Sequence, residues 1–442
     1  MHEYEPLYAA AEMKAAEAGH DVDALMERAG LAVAEAVRSR YPEAKRVRAI
    51  CGKGANGGDG RIALRLLREW GLDAEEATEL SGADVVVDGL FGTGFSGAPR
   101  PDAAELIARM NEASARVVAV DIPSGVDAST GEVPGEAVRA DLTVTMHGRK
   151  VGLEVSPGLL HAGEVSVADI GLEHRPTEHT LVTDAILARL PAKGAGDTKY
   201  TAGSVLVVGG APGMSGAAAL CARAAFRADA GYVAVAAPAE SLPVLETLVL
   251  EAVKRPLEEA DEAVERARAL ALGPGLGRGD DRRALIRRLL LTSGVPAVVD
   301  ADGLDGLAPF ERDADTVLTP HSGELGRLLG EEAAWVDTHR LEALHRAVER
   351  FGCVVLLKGP DTLVGAPGAG VLVIGSNVPG LATAGTGDVL TGIVGAFLAK
   401  GLDGRTAAAA GAVAHRVAAR TAQKPAGLVA SDVVEALPYI RG

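Results

Sequence analysis

The stretch Ala382–Gly392, ATAGTGDVLTG, sets two glycines around Thr386 and a carboxylate directly after them. Gly385 and Gly387 lack a Cβ, so the backbone there can curl until successive N–H groups converge on one point. An apolar run then begins: Val389, Leu390, Ile393, Val394, Phe397 and Leu398 recur at the spacing of one helical face. The free N–H groups of that helix's first turn join the glycine amides and make an anion site. A carboxylate on the rim of a phosphate site weakens binding, but it suits a base that takes the proton from a hydroxyl about to be phosphorylated. The helix N-terminus favours the charged form by about 0.3–1 kcal/mol, so Asp388 is expected to be ionised at neutral pH. The blander reading of the same stretch, which its residues favour less, is a plain helix start with Asp388 as first-turn charge and the glycines as turn formers.

Other segments of the second half place polar or glycine turns directly after apolar strands. In VVGGAPGMSGAAAL, Gly216 and Ala217 let a planar ligand approach the backbone, or simply let helices pack closely. Gly275 and Gly277 in LALGPGLGRG form a flexible turn. Asp300 and Asp302 in VVDADGLDGL can hold Mg²⁺ through water or cap a helix. TPHSGELGRLL puts His321 in a strand–helix turn and Glu324 on the helix's first turn. In LLKGPDTLV, Lys358 ends a strand, where it can neutralise phosphate, pack against an adenine or sit solvated in a turn.

The first half carries GKGANGGDGRIALRLL, VVVDGLFGTGFSGAPR and VVAVDIPSGVDASTG. Gly92, Gly94 and Gly97 imitate a Rossmann fingerprint, with Asp121 ending the next strand. Pro99 and Pro101 follow the last glycine, so no helix can begin inside the motif, which argues against a dinucleotide site of that kind.

Strands alternating with helices must position these groups. The first half reads as strands at Val47–Cys51, Val85–Val87, Val117–Val120 and Leu142–Met146, with a helix after the glycine-rich GKGANGGDG that Gly71 stops. Around Gly171–Glu178 the periodicity lapses, which places a boundary between domains spanning 1–175 and 180–442. The second half reads as strands at Ser204–Val208, Tyr232–Ala236, Leu270–Leu272, Ala297–Val299, Thr316–Leu318, Val354–Leu357 and Val371–Ile374, and the Ala-rich Thr406–Ala414 as a close-packed helix. The fold class is α/β, a parallel-rich sheet with helices on both faces in each half, and ligands are expected beyond the strands' carboxyl ends. With 60 acidic against 44 basic residues the net charge is −16, which argues against nucleic acid or an anionic membrane as partner. No stretch is apolar for long enough to span a membrane, and the N-terminus does not read as a secretory signal. Cys51, Cys221 and Cys353 stand alone, as expected of a reduced, cytoplasmic enzyme.

Taken in order, GGAPGMSGAA, GPGLG, DADGL, TPHSGE, KGPDT and ATAGTGDVLTG resemble the nicotinamide-nucleotide hydrate dehydratases, a branch of the ribokinase-like fold, from about Asp184 to Gly442. Ala384 stands where that family usually has Gly, and Tyr200 interrupts its usual start near Lys199. The resemblance implies a nucleotide donor, ADP, against Lys358, Gly359, Pro360, Asp361, Thr362 and Gly387. It implies a hydrated cofactor touching Ala217, Gly277, His321 and Asp388, with Asp388 as base and Mg²⁺ bridging the donor phosphates. The first-half segments resemble the nicotinamide-nucleotide hydrate epimerases, a Rossmann-like three-layer α/β domain, over about Met1–Gly171. There the resemblance implies that Ala55, Asn56, Gly57, Gly58, Asp59, Gly92, Thr93, Gly94, Phe95, Ser96, Gly97 and Ala98 line the hydrate. Asp121 would transfer the proton, and Asn56, Asp88 and Ser124 would hold K⁺. The family's loop opens with two asparagines, and Ala55 replaces the first. Implied partners are small molecules only (NADHX, NADPHX and ADP), with assembly as a homo-oligomer. The alternative is a ribokinase-like small-molecule kinase joined to a non-catalytic binding or assembly module.

Overall fold

Val85–Val87 and Val117–Val120 are almost wholly buried, as strands covered on both faces must be. They form the middle of a six-stranded sheet in the order Asp73–Glu76, Arg46–Cys51, Val85–Gly89, Arg116–Val120, Leu142–Met146, Glu164–Ala168, every neighbouring pair parallel. On one face the helices Val22–Arg40 and Ala55–Glu69 bring Val33, Val37, Leu64 and Leu67 onto Val47, Val85 and Val118. On the other, the helix Pro101–Glu112 seats Ile107 and Met110 against Ile50, Val86 and Val117. Each such side chain contributes about 1.5–3 kcal/mol through burial. The computed structural model describes residues 2–440 apart from 376, 377, 423 and 425. These residues divide into two compact units, one built on Pro6–Leu181 and the other on the chain from Val182 onward.

In the second unit nine consecutive strands of an 11-stranded sheet run Val371–Gly375, Asp361–Gly365, Val354–Leu357, Thr316–Leu318, Ala297–Val299, Ala269–Leu272, Ser204–Val208, Tyr232–Ala237, Val253–Pro256. They are parallel from Val354–Leu357 to Val253–Pro256, and antiparallel on either side of Asp361–Gly365. The helix Thr386–Ala399 is buried along almost its whole length, between the helices Ser215–Arg227 and Gly404–Thr421. Close approach is what its small residues permit. A Cβ on Gly392 would lie 2.1 Å from the Cys221 carbonyl oxygen, so only glycine fits there. Among the described residues no helix is long and apolar enough to cross a membrane.

Two expectations change. The helix of the first unit does not follow the glycine loop but begins inside it, at Ala55, because Gly57 lets the first turn lie against the Gly52 carbonyl. The strand that Thr362 enters after the LLKGPD turn is present as Asp361–Gly365, while Tyr4–Leu7, Asp73–Glu76, Glu164–Ala168, His179–Val182 and Val253–Pro256 escape the sequence. Asp73–Glu76, Glu164–Ala168 and Val253–Pro256 are edge strands, which need no continuous apolar run.

Two candidate active sites

In the second unit Gly385 takes a left-handed φ of 88° and the helix starts at Thr386, which makes Asp388 its third residue. One turn on, the Thr391 hydroxyl donates to Asp300 Oδ2 at 2.6 Å. The other oxygen of Asp300 accepts from Lys358 Nζ, also at 2.6 Å, and Glu324 Oε2 lies 3.9 Å from the same ammonium. A Cβ placed on Gly387 would stand 3.4 Å from Lys358 Nζ and 3.7 Å from Asp300 Oδ2. The ammonium therefore sits beside the glycine amides, at the end of the helix where an anion is favoured. Burial works against the charge on Lys358, but Asp300 and Glu324 outweigh it and raise its pKa. Asp388 is not the ordinary charged Asp expected from its helix position. Burial pushes its carboxyl up to about 7, the charges of Asp300, Asp302 and Glu324 push the same way, and Lys358 opposes them. A few tenths of a kcal/mol from the helix cannot offset three neighbouring acids.

The surrounding turns converge on this cluster. Ala211 N–H donates to Gly275 O at 2.6 Å, and a Cβ on Gly275 would lie 3.0 Å from that of Ala217. Gly277 N–H donates to Asp302 Oδ2 at 3.0 Å. His321 caps the helix Ser322–Leu329: its Nδ1 accepts from Gly323 N–H at 3.0 Å, Nε2 is 3.5 Å from Glu324 Oε1, and the ring remains 54% exposed. Gly359 and Pro360 are exposed turn residues, Asp361 is buried at the start of its strand and Thr362 is half-buried. Asp300 spends both oxygens on Lys358 and Thr391, and Asp302 accepts from Gly277 and Arg278. These acids do not form a metal cage, so a divalent ion here would take its ligands from phosphate and water.

In the first unit Asp121 ends the strand Arg116–Val120 with φ at 66°, a backbone state costing about 1–3 kcal/mol for a residue with a Cβ. Its Oδ1 accepts from Thr145 Oγ1 at 3.1 Å, from Met146 N–H at 3.0 Å and from the fully buried Lys150 ammonium. Thr93 Oγ1 reaches Oδ2 at 3.4 Å. Asn56 Nδ2 donates to the Phe91 and Val120 carbonyls at 2.9 and 2.5 Å, which ties the helix start at 55–59 to the residue before the loop at 92–98 and to the Asp121 strand. Phe95 stacks on Phe91, while Gly94 and Ser96–Ala98 are exposed. Asp59 is buried, and burial together with the charges of Asp121 and Glu17 pushes its carboxyl up to about 7.

Asp88 is wholly buried and accepts from Ser124 Oγ at 2.6 Å, Ser124 N–H at 2.8 Å and Leu90 N–H at 3.2 Å. Burial raises its carboxyl to about 6 against those hydrogen bonds. No cationic side chain is among these partners. A buried anion joined to the Ser124 hydroxyl is an oxygen donor set that fits a hard monovalent cation such as K⁺.

Residues 205–439 match the family described as NAD(P)H-hydrate dehydratase, and 22–75 and 72–152 match the YjeF-related protein N-terminus. The bifunctional NAD(P)H-hydrate repair enzyme of Moorella thermoacetica is 36% identical across 94% of this chain and 92% of its own. This chain belongs to the bifunctional NAD(P)H-hydrate repair enzymes. The member from Escherichia coli is 34% identical over 94% of this chain and 89% of its own. An ADP/ATP-dependent NAD(P)H-hydrate dehydratase from Bacillus subtilis, co-crystallised with ATP and Mg²⁺, is 26% identical with a TM-score of 0.54, over 59% of this chain and 96% of that one. A ribokinase-like superfamily protein from Enterococcus faecalis shares the fold, with a TM-score of 0.55 over 61% of this chain and 98% of that one.

For a repair-enzyme chain, the most informative residue that escapes the sequence is Lys150. It follows a turn with no glycine pattern, and a basic residue in GRK reads as surface. Its one signal is its place just after a buried strand that neighbours the Asp121 strand. Asp300 is not the solvated helix cap that one reading of the sequence offers: it is buried, makes no cap hydrogen bond and joins Lys358 to the Asp388 helix.

Proposed function

We propose that the chain returns hydrated NADH and NADPH to the working cofactor: the first unit interconverts the R and S epimers at C6, and the second dehydrates the S form using ADP, giving AMP and phosphate. The observation that carries this reading is the meeting of Lys358, the Gly387 amide and Asp388 at one helix start. Hydroxide leaves carbon poorly and phosphate leaves well. Asp388 takes the C6 hydroxyl proton as the oxygen attacks the donor's terminal phosphorus, and the glycine amides with Lys358 hold the charge in transit. The ring nitrogen's lone pair then expels phosphate, and loss of a proton from C5 to solvent lets the C=N⁺ pair return to nitrogen and restores the dihydropyridine ring. Ala217, Gly277 and His321 line the hydrate's side, and Lys358–Thr362 with Gly387 the nucleotide's side. Mg²⁺ screens the donor phosphates when bound.

In the first unit the segments 55–59 and 92–98 line the hydrate, Asp121 moves the proton, and Asn56, Asp88 and Ser124 hold K⁺, which fixes the loop geometry around the site. The proposed setting is the cytoplasm, with the chain assembled as a homo-oligomer. The kinase alternative is not favoured, because relatives named as repair enzymes align over nearly the full chain. The test offers a mixed R/S hydrate with ADP or ATP and follows the absorbance of the reduced nicotinamide. Full recovery with ADP supports both activities, and recovery of the S fraction alone removes the first. An isolable phosphorylated product would replace the reading with that of a kinase.

A further inference from the structure

Inverting C6 by loss and re-addition of water calls for an acid for the departing hydroxyl and a base for the incoming water. Asp121 is one carboxylate at the first unit's site, and its ion pair with the fully buried Lys150 accounts for that ammonium. A second carboxyl lies on the helix start that Asn56 ties to the carbonyl of Val120, the residue before Asp121. Asp59 is 6% exposed, lies in the opening turns of the helix Ala55–Glu69, and its Oδ1 has no hydrogen-bond partner although it is buried. An orphaned buried oxygen is unfavourable, and a ligand's hydroxyl would relieve it. A carboxyl is also a poor neighbour for the phosphates that its glycine loop would otherwise be expected to cradle.

We infer that Asp59 is a second catalytic proton-transfer residue of the epimerase, sharing one proton with Asp121 across the C6 hydroxyl. This rests on the epimerase reading of the first unit. Protonated Asp59 gives its proton to the C6 hydroxyl. The C–O bond breaks, water departs with the bonding pair, and the ring nitrogen's lone pair forms the C=N⁺ bond. A solvent water adds to C6 from the other face and gives its proton to the Asp121 carboxylate, while the C=N⁺ pair returns to nitrogen. One water leaves and one enters, and a proton has moved from Asp59 to Asp121. The reverse reaction runs with the roles exchanged, and proton exchange with solvent resets the pair. The rise of the Asp59 carboxyl to about 7, caused by burial and then by Asp121 and Glu17, leaves it able to donate at neutral pH. The other titratable groups facing the pair are Glu17 and Lys150. His147, beside Lys150, is pushed by burial down to about 4 and stays neutral.

The full chain is given pure R-hydrate in isotopically labelled water without nucleotide, and the S-hydrate formed is examined for solvent oxygen. The wild type is expected to place one solvent oxygen at C6 per inversion. Asp59→Asn should slow exchange by about 100-fold or more, and Asp59→Glu should restore part of it. Asp59→Asn should still dehydrate pure S-hydrate. S-hydrate that keeps its original oxygen, or near-wild-type exchange by Asp59→Asn, overturns the inference. A wild type that does not accelerate exchange at all overturns the epimerase reading instead.

Discussion

Both units place an aspartate beside a glycine loop and a lysine beside the aspartate, yet the two pairs are wired differently. In the first unit the fully buried Lys150 donates straight to Asp121, and the carboxylate is held further by Thr145 and the Met146 amide. In the second, Lys358 is held by Asp300, not by Asp388, so the Asp388 carboxyl is left among acids and rises to about 7. The first arrangement fixes a carboxylate in place. On the proposed reading the second makes a base whose proton affinity matches neutral pH, with the cation standing where phosphate charge would develop. A lysine near an aspartate therefore says little until its own partner is known.

The sharpest way to break this contrast is Asp388→Asn. We expect dehydration to fall by about 100- to 10,000-fold, with nucleotide still bound and R-to-S exchange intact. The same change should raise the melting temperature. An acid whose folded pKa lies above its unfolded value stabilises the fold at low pH and loses that contribution as pH rises through the folded value, here about 7. The variant should thus melt above wild type at about pH 8, with the gap closing towards pH 4. Scanning calorimetry at both pH values checks the sign.

Lys150→Met probes the other wiring. It strands Asp121 as a buried charge without its partner, a loss of about 3–5 kcal/mol in a buried pair. Denaturant unfolding should show that loss, and R-to-S exchange should fall with it. Turnover of pure S-hydrate below the denaturation midpoint should not change.

Asp300→Asn is subtler. Removing its charge takes away an acid that raises Asp388, so the acid limb of the dehydration pH profile should move to lower pH. A limb that stays in place would mean that Asp300 acts only through Lys358. The smallest effect concerns K⁺. If Asp88 helps hold it, K⁺ at about tenfold its Kd should stabilise the first unit by about 1.4 kcal/mol, and Asp88→Asn should abolish that increment.

Much of the architecture is legible in the chain because buried parallel strands are continuous apolar runs. Leu142–Met146, Ser204–Val208 and Val354–Leu357 stand where their apolar residues place them. Strands such as Asp73–Glu76, whose residues are polar and mostly exposed, leave no such trace. Asp388, Lys358 and Asp121 stand out because each follows a strand or glycine turn, where local geometry predicts a ligand site. Lys150 does not, and Asp300 stands out without showing what it joins, because their contacts are with partners 29 and 58 residues away. For the same reason the charge state of Asp388 is misjudged from its helix alone: the acids that raise it come from other turns of the sheet.

The most direct test of the central claim is the pH dependence of kcat/KM for dehydration of pure S-hydrate with saturating ADP. Asp388 as base predicts a rise with pH through a single ionisation near the about 7 that its surroundings impose, and loss of that ionisation from the residual rate of Asp388→Asn. A profile flat across neutral pH, or an ionisation that survives in Asp388→Asn, would contradict it.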